Sequence, residues 1–165
     1  IQPIDEHSCY EFCDKLLDLV QQHKGEEIIT IGGIGLQNIP QEPKVYCTAN
    51  NNKIIKKYKS KKLAHSIYGV VGPIMGVTGL LVGLAQERKI PSVALLAETF
   101  AHPTFLGIKG AREVLKVLDD KLKLKLDLKK LNEEIFEIEK DIKTKTKEFS
   151  KLQKGKEVNR MDYIG

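Results

Sequence analysis

The sequence has no tryptophan, only two methionines and an aromatic content of 6%. With 41% hydrophobic and 30% charged residues it still falls in the ordinary globular range, which excludes a fibrous or disordered class. Its three cysteines, Cys9, Cys13 and Cys47, are odd in number and lack paired spacing. A disulfide-stapled scaffold is thereby excluded, and a reduced, cytoplasmic setting fits. Two further absences are local. No acid occurs among the ten residues of "KIIKKYKSKK", 53–62, and no charge of either sign occurs from Leu63 to Gln86.

The first absence raises nucleic-acid binding, because clustered cations gain affinity by releasing counterions from phosphates. The cluster has six lysines but no arginine, and Tyr58 is its single aromatic. With no nucleic-acid-binding motif beside it, it reads as a solvated helix face. The net charge of +5 is unevenly spread. Residues 1–52 carry three lysines against eight acids, 63–120 are balanced, and 121–165 hold thirteen bases against nine acids. The chain is dipolar rather than uniformly basic.

The second absence raises a membrane span, since the charge-free run exceeds the roughly 20 residues a helix needs to cross a bilayer. Pro73, five glycines, His65 and Ser66 within the run oppose it, and so does a neighbouring apolar strand that needs a partner. In "GVVGPIMGVTGLLVG", 69–83, neither Gly-Lys-Ser/Thr nor G-x-G-x-x-G occurs, so neither nucleotide-binding loop is present and no cofactor is implied. The spacing instead predicts a strand ending near Val71, a turn at Gly72 and Pro73, and a helix over 77–89. Gly76, Gly79 and Gly83 would share a face of that helix. Glycine costs about 1 kcal/mol in a helix interior, so these positions are expected to let the backbone pack closely on a neighbouring layer.

Apolar strands and helices alternate along the rest of the chain. Ser8 and Glu11 form a capping-box pattern, followed by Phe12, Leu16, Leu19 and Val20 at helical spacing. They predict a helix over 9–23 ended by Gly25. "EEIITIGG" and "KVYCTA" read as strands, "NNNKIIKKYK" as a short helix with an Asn cap, 66–71 as a strand and "IPSVALLAE" as another. The alternation implies a mostly parallel sheet covered on both faces.

Over this frame, "YGVVGPIMGVTGLLVGLAQERKIPSVALLAETFAHPTFLGIKGAREVLKVL" resembles the core of the proteasome assembly chaperone family. The likeness is strongest to archaeal homologues of the proteasome assembly chaperone 2 type. It rests on a glycine-rich strand-to-helix turn, a strand ending Leu-Leu-Ala-Glu, a Pro-containing loop and Ala-Arg-Glu-Val-Leu opening a helix. The opening, "IITIGGIG" and "LKLDLKKLNEEIFEIEKDI" fit the same pattern. The resemblance implies a three-layer α/β/α sandwich with a phosphorylase-like outline, used as a non-enzymatic, homo-oligomeric binding protein that engages proteasome α subunits. It implies domains at 1–122 (α/β core), 123–153 (helical extension) and 154–165 (tail). Family members usually begin with a further strand-helix-strand portion, whereas Ile1-Gln2-Pro3 reads as the tail of a strand, so the core is expected to lack its N-terminal portion. The family loop often carries Asp after Pro, where Thr104 and Phe105 follow Pro103 here.

Some archaeal homologues also activate proteasomes through tails ending hydrophobic-Tyr-any. This chain ends "RMDYIG", placing Tyr163 third from the end behind Asp162. Tyr163, Ile164 and the Gly165 carboxylate are the candidate anchor. Upstream, Leu124, Leu128, Leu131, Ile135, Ile138, Ile142, Phe149 and Leu152 fall on alternating spacings of four and three, with only Lys145 breaking the run, predicting an amphipathic helix capped by Asp127 and about 38 Å long. Leu128, Leu131, Ile135, Ile138 and Ile142 are the candidate stripe for subunit contact. Glu134, Glu139, Asp141 and Glu148 flank it, which disfavours self-pairing and suggests Lys53, Lys56 and Lys57 as counterparts.

An enzyme is the competing class. Glu98 stands at the carboxyl end of an apolar strand with His102 four residues on, an arrangement that would supply an acid and a base. No nucleophile or orienting group accompanies them. His7, Cys9 and Cys13 would offer metal donors, but Cys13 adjoins the apolar stripe and reads as core, so no metal is expected.

Overall fold

In the computed structural model, residues 5–59, 63–64, 72–102, 105–127, 129–138 and 140 are described. They divide into two compact units, Ile1–Lys125 and Leu126–Gly165. The first is a mixed α/β unit with the order α1 (Glu6–Gln22), β1 (Ile28–Leu36), β2 (Val45–Ala49), α2 (Asn52–Tyr58), α3 (Gly76–Glu87), β3 (Ser92–Phe100) and α4 (Ile108–Leu122). In the second, residues 129–138 are helical.

The sheet order is β1-β3-β2. Strand β3 runs parallel to β1, with Ile28 opposite Ser92 and Leu36 opposite Phe100, and antiparallel to β2, with Val45 opposite Ala97. The expected mostly parallel sheet is therefore mixed. "NIPQEP" between β1 and β2 allows β2 to return beside β3 in the opposite sense. Ala64 makes an isolated parallel bridge to Tyr46, while the strand expected over 66–71 lies outside the described residues.

Ser92 to Ala97 of β3 are all buried, as a central strand requires. Val93, Leu95 and Ala97 pack with Val45, Ile54 and Tyr58 and with Val114 and Val117 of α4. The alternate residues Ala94 and Leu96 pack with Tyr46 and Val82 of α3. Helices thus cover both faces of β3, following the two-residue period of the strand. On the α3 side, Cys13 and Leu17 of α1 meet Leu81, Ala85 and Ile90. Buried hydroxyls stitch this layer to the sheet: Thr30 donates to the Thr78 carbonyl at 3.1 Å and Ser92 to that of Val82 at 3.2 Å.

Local signals set the element ends, with some corrections. Asn51 caps α2, its Oδ1 accepting from the Ile54 N–H at 3.0 Å. The cap of α1 is Asp5 rather than Ser8: Asp5 Oδ1 accepts from the Ser8 N–H at 3.0 Å, which starts the helix three residues early. Helix α1 also presents a different inner face from the one its apolar spacing predicts. Cys9, Cys13 and Leu17 are buried, whereas Phe12 and Leu19 are exposed. Asp127 caps the second unit's helix as expected, accepting from the N–H groups of Lys129 and Lys130.

Candidate functional site

The carboxyl end of β3 is where a parallel pair of strands offers a ligand its opening, and Glu98 lies there. Its two carboxylate oxygens are engaged by Tyr46 of β2 and by Lys44 just before it. Oε2 accepts from the Lys44 N–H at 2.9 Å and Oε1 from the Tyr46 hydroxyl at 3.0 Å. The Glu98 N–H in turn donates to the Lys44 carbonyl at 3.0 Å. Burial, then the Glu98 carboxylate, pushes the Tyr46 phenol up from its ordinary range, which keeps it a donor. Glu98 is therefore a clasp that closes the antiparallel pair.

His102 has a different neighbourhood. Its ring stacks on Phe100 with centroids 5.7 Å apart and planes 4° from parallel, and Phe105 meets Phe100 edge-on. The stack and the turn hydrogen bonds His102 N–H to Phe100 O and Phe105 N–H to His102 O hold the start of this loop. Glu98 is thus oriented by β2, and His102 by an aromatic stack. The metal donors weighed from sequence also separate. Cys9 and Cys13 are buried, and burial raises the Cys13 thiol, whereas His7 is exposed and turned to Glu11 along the helix. Among the described residues no group of three or more His, Cys, Asp or Glu is gathered to hold a metal ion.

The four glycines have distinct surroundings. A Cβ on Gly79 would lie 1.9 Å from the Ile74 carbonyl oxygen, so the turn before α3 folds onto this position. Gly76 takes φ +70°, a left-handed conformation that favours glycine. At Gly72 and Gly83 no described atom lies within 4 Å of an added Cβ. The close approach of α3 to the sheet is made elsewhere, at Gly32 of β1, where a Cβ would meet Leu96 at 3.0 Å and Thr78 at 3.3 Å. Sequence reasoning missed Gly32, although its place in the apolar run "IITIGGIG" is a signal for a helix lying tightly over a strand.

Of the candidate stripe, Ile135 is buried, Leu131 half-buried and Ile138 exposed, and Phe136, off the stripe, is 69% exposed. Leu128 and Ile142 lie outside the described residues, as do Tyr163, Ile164 and Gly165. Among the described residues no helix is long and apolar enough to cross a membrane.

Against known proteins, a model of the PAC2 family matches residues 1–145. The chain belongs to the PAC2 family. Its fold is similar to that of Pyrococcus furiosus PbaA, an archaeal homolog of proteasome-assembly chaperone, with a TM-score of 0.76 at 20% identity over 99% of this chain and 67% of PbaA. It is also similar to P. furiosus PbaB, an archaeal proteasome activator, with a TM-score of 0.74 at 29% identity over 87% of this chain and 60% of PbaB. The Methanocaldococcus jannaschii protein MJ1210 is 27% identical over 90 residues, 54% of this chain and 34% of that protein. This PAC2 chain therefore spans only part of the length of the relatives it matches.

Proposed function

We propose that this PAC2 chain is a non-enzymatic, homo-oligomeric binding module of the cytoplasm that engages proteasome α subunits or their ring and assists assembly or activation. The observation that carries the reading is the family match over residues 1–145, joined to likeness with an assembly-chaperone homolog and a proteasome activator. The local geometry gives Glu98 a structural role, because each of its oxygens accepts a hydrogen bond that ties β3 to Lys44 and Tyr46. In this reading the core is a three-layer α/β/α sandwich with a phosphorylase-like outline. Leu128, Leu131, Ile135, Ile138 and Ile142 form the stripe for subunit contact. Tyr163, Ile164 and the Gly165 carboxylate are an aromatic and anionic anchor on the proteasome. No nucleic acid, membrane, metal or cofactor takes part.

Purified α subunits immobilised on resin are expected to retain the chain, and removal of residues 155–165 to reduce capture about tenfold, equivalent to about 1.4 kcal/mol. Equal capture without the tail overturns the anchor, and no capture of either form overturns the partner. Glu98→Gln is expected to bind as the parent does while losing about 1 kcal/mol of stability, because the amide can still accept from the Lys44 N–H and donate to the Tyr46 hydroxyl oxygen but without the charge that strengthens both bonds.

A further inference from the structure

The lysine cluster at 53–62 takes no part in the Glu98 clasp or in the aromatic stack at His102. Its described residues lie on and just after α2, where Lys53, Lys56 and Lys59 are exposed and Lys57 pairs with Glu27. The end of α4 continues the basic surface. Helices α2 and α4 share one core cluster through Ile54, Tyr58, Val114 and Val117, and Lys121 Nζ donates to the Lys59 carbonyl at 3.5 Å. Lys123 and Lys125 follow, both exposed. Asp120 pairs with Lys121, whereas among the described residues Lys53, Lys56, Lys123 and Lys125 make no ion pair.

This corner is apolar as well as basic. Ile55 is exposed on α2, and Leu122 and Leu124 are 45% and 47% exposed at the end of α4. On either side of Leu124, Lys123 and Lys125 hold left-handed backbone at φ 54° and 57°, a region that residues other than glycine seldom enter. A lysine face that only meets water needs neither the exposed leucines nor that backbone. Apolar side chains ringed by charge mark a surface built for a partner.

The helix of the second unit carries the opposite chemistry. Ile135 is buried, while its neighbour Phe136 is 69% exposed. Glu133, three residues before Phe136, and Glu137, four after Glu133, share that outer face. Both are exposed, and among the described residues neither makes an ion pair. This acidic, aromatic face is distinct from the stripe of Leu131 and Ile135, which are half-buried and buried.

Charge selects the occupant. Glu133 and Glu137 set against the same residues of another copy would repel, and so would lysines set against lysines. Each surface is complementary to the other and not to itself, so copies that meet through them form a heterologous contact. We infer that the corner of Ile55, Leu122 and Leu124 receives the Glu133–Phe136–Glu137 face of a second copy, with Lys123 and Lys125 facing the two carboxylates. The inference rests on the homo-oligomeric reading above and is independent of any proteasome contact.

The test is sedimentation velocity over a concentration series on the 165-residue chain, on Lys123→Glu/Lys125→Glu, on Glu133→Lys/Glu137→Lys and on an equal mixture of the two variants. Each variant alone is expected to lose self-association by about tenfold or more at low salt, where charge is least screened. The mixture is expected to regain it, because every reversed corner then meets a reversed helix and every native corner a native one. Circular dichroism checks that each variant is folded. Where one is not, Phe136→Ala carries the test at unchanged charge, and it is expected to weaken association to a similar degree. Loss in both variants without recovery in the mixture overturns the pairing. Association kept by either charge variant, or by Phe136→Ala, overturns the inference and leaves the homo-oligomeric reading standing. A parent that is monomeric at every concentration overturns both.

Discussion

Tyr58 shows how a single residue records the conflict between packing and polarity. Its ring is fully buried in the core cluster with Ile54, Leu95 and Val117, yet its hydroxyl is buried beside the Glu27 carboxylate without a well-formed hydrogen bond. Burial first, then nearby Glu27, raises its pKa far above the ordinary value of 10.0. A raised folded-state pKa means that stability is complete below pH 10 and is lost as pH climbs, because the unfolded chain releases the proton first. Tyr58→Phe removes both the unpaired hydroxyl and the titration. The variant is expected to match or exceed the parent by about 0–1 kcal/mol at pH 7. It should gain further on the parent as pH rises from 10, read from urea midpoints across pH. A variant that loses stability in parallel with the parent above pH 10 would assign the alkaline loss to other groups, such as Tyr46.

Helix α3 poses its question as an element, because its glycines differ in what they do. Gly79 is held against the carbonyl of Ile74, while no described atom approaches Gly83. Gly79→Ala is therefore expected to cost about 2–3 kcal/mol through overpacking. Gly83→Ala should add about 0.5–1 kcal/mol by removing the backbone entropy of a mid-helix glycine. Opposite signs in denaturant unfolding separate a glycine required by sterics from one that is not, and a shared sign would mean that α3 acts as one packing stripe. The close approach itself belongs to β1, through Gly32 under Thr78.

Across the whole molecule, charge is segregated between an acidic first segment, a lysine cluster and a basic end. Lys57 is committed to an ion pair with Glu27 inside the first unit, while Lys53 and Lys56 are exposed on α2. In the proposed reading these two are the lysines left to face Glu134, Glu139, Asp141 and Glu148 of a neighbouring copy. The double variant Lys53→Glu/Lys56→Glu is expected to weaken self-association about fivefold or more at low salt, with a smaller effect at about 1 M salt, where screening acts within about 3 Å. Light scattering over a concentration series reads the result, and an unchanged mass at every concentration removes the lysines from the interface.

The amino-acid sequence by itself determined most of the described helices and strands, because periodicity, the Asn51 and Asp127 caps and the apolar run of β3 are local properties. It also carried the family, through a rhythm of glycines and apolar strands. Only the tertiary structure decided the sense of β2, the use of Glu98 as a clasp, and the burial of Cys9 and Leu17, beside the Cys13 already read as core, in place of Phe12 and Leu19. Each of these depends on what a side chain meets far away in the chain: Glu98 is 54 residues from the Lys44 N–H it accepts from, and Gly32 faces Thr78 and Leu96. Periodicity says that a face is apolar, but which part of it is buried is settled by the elements that pack against it.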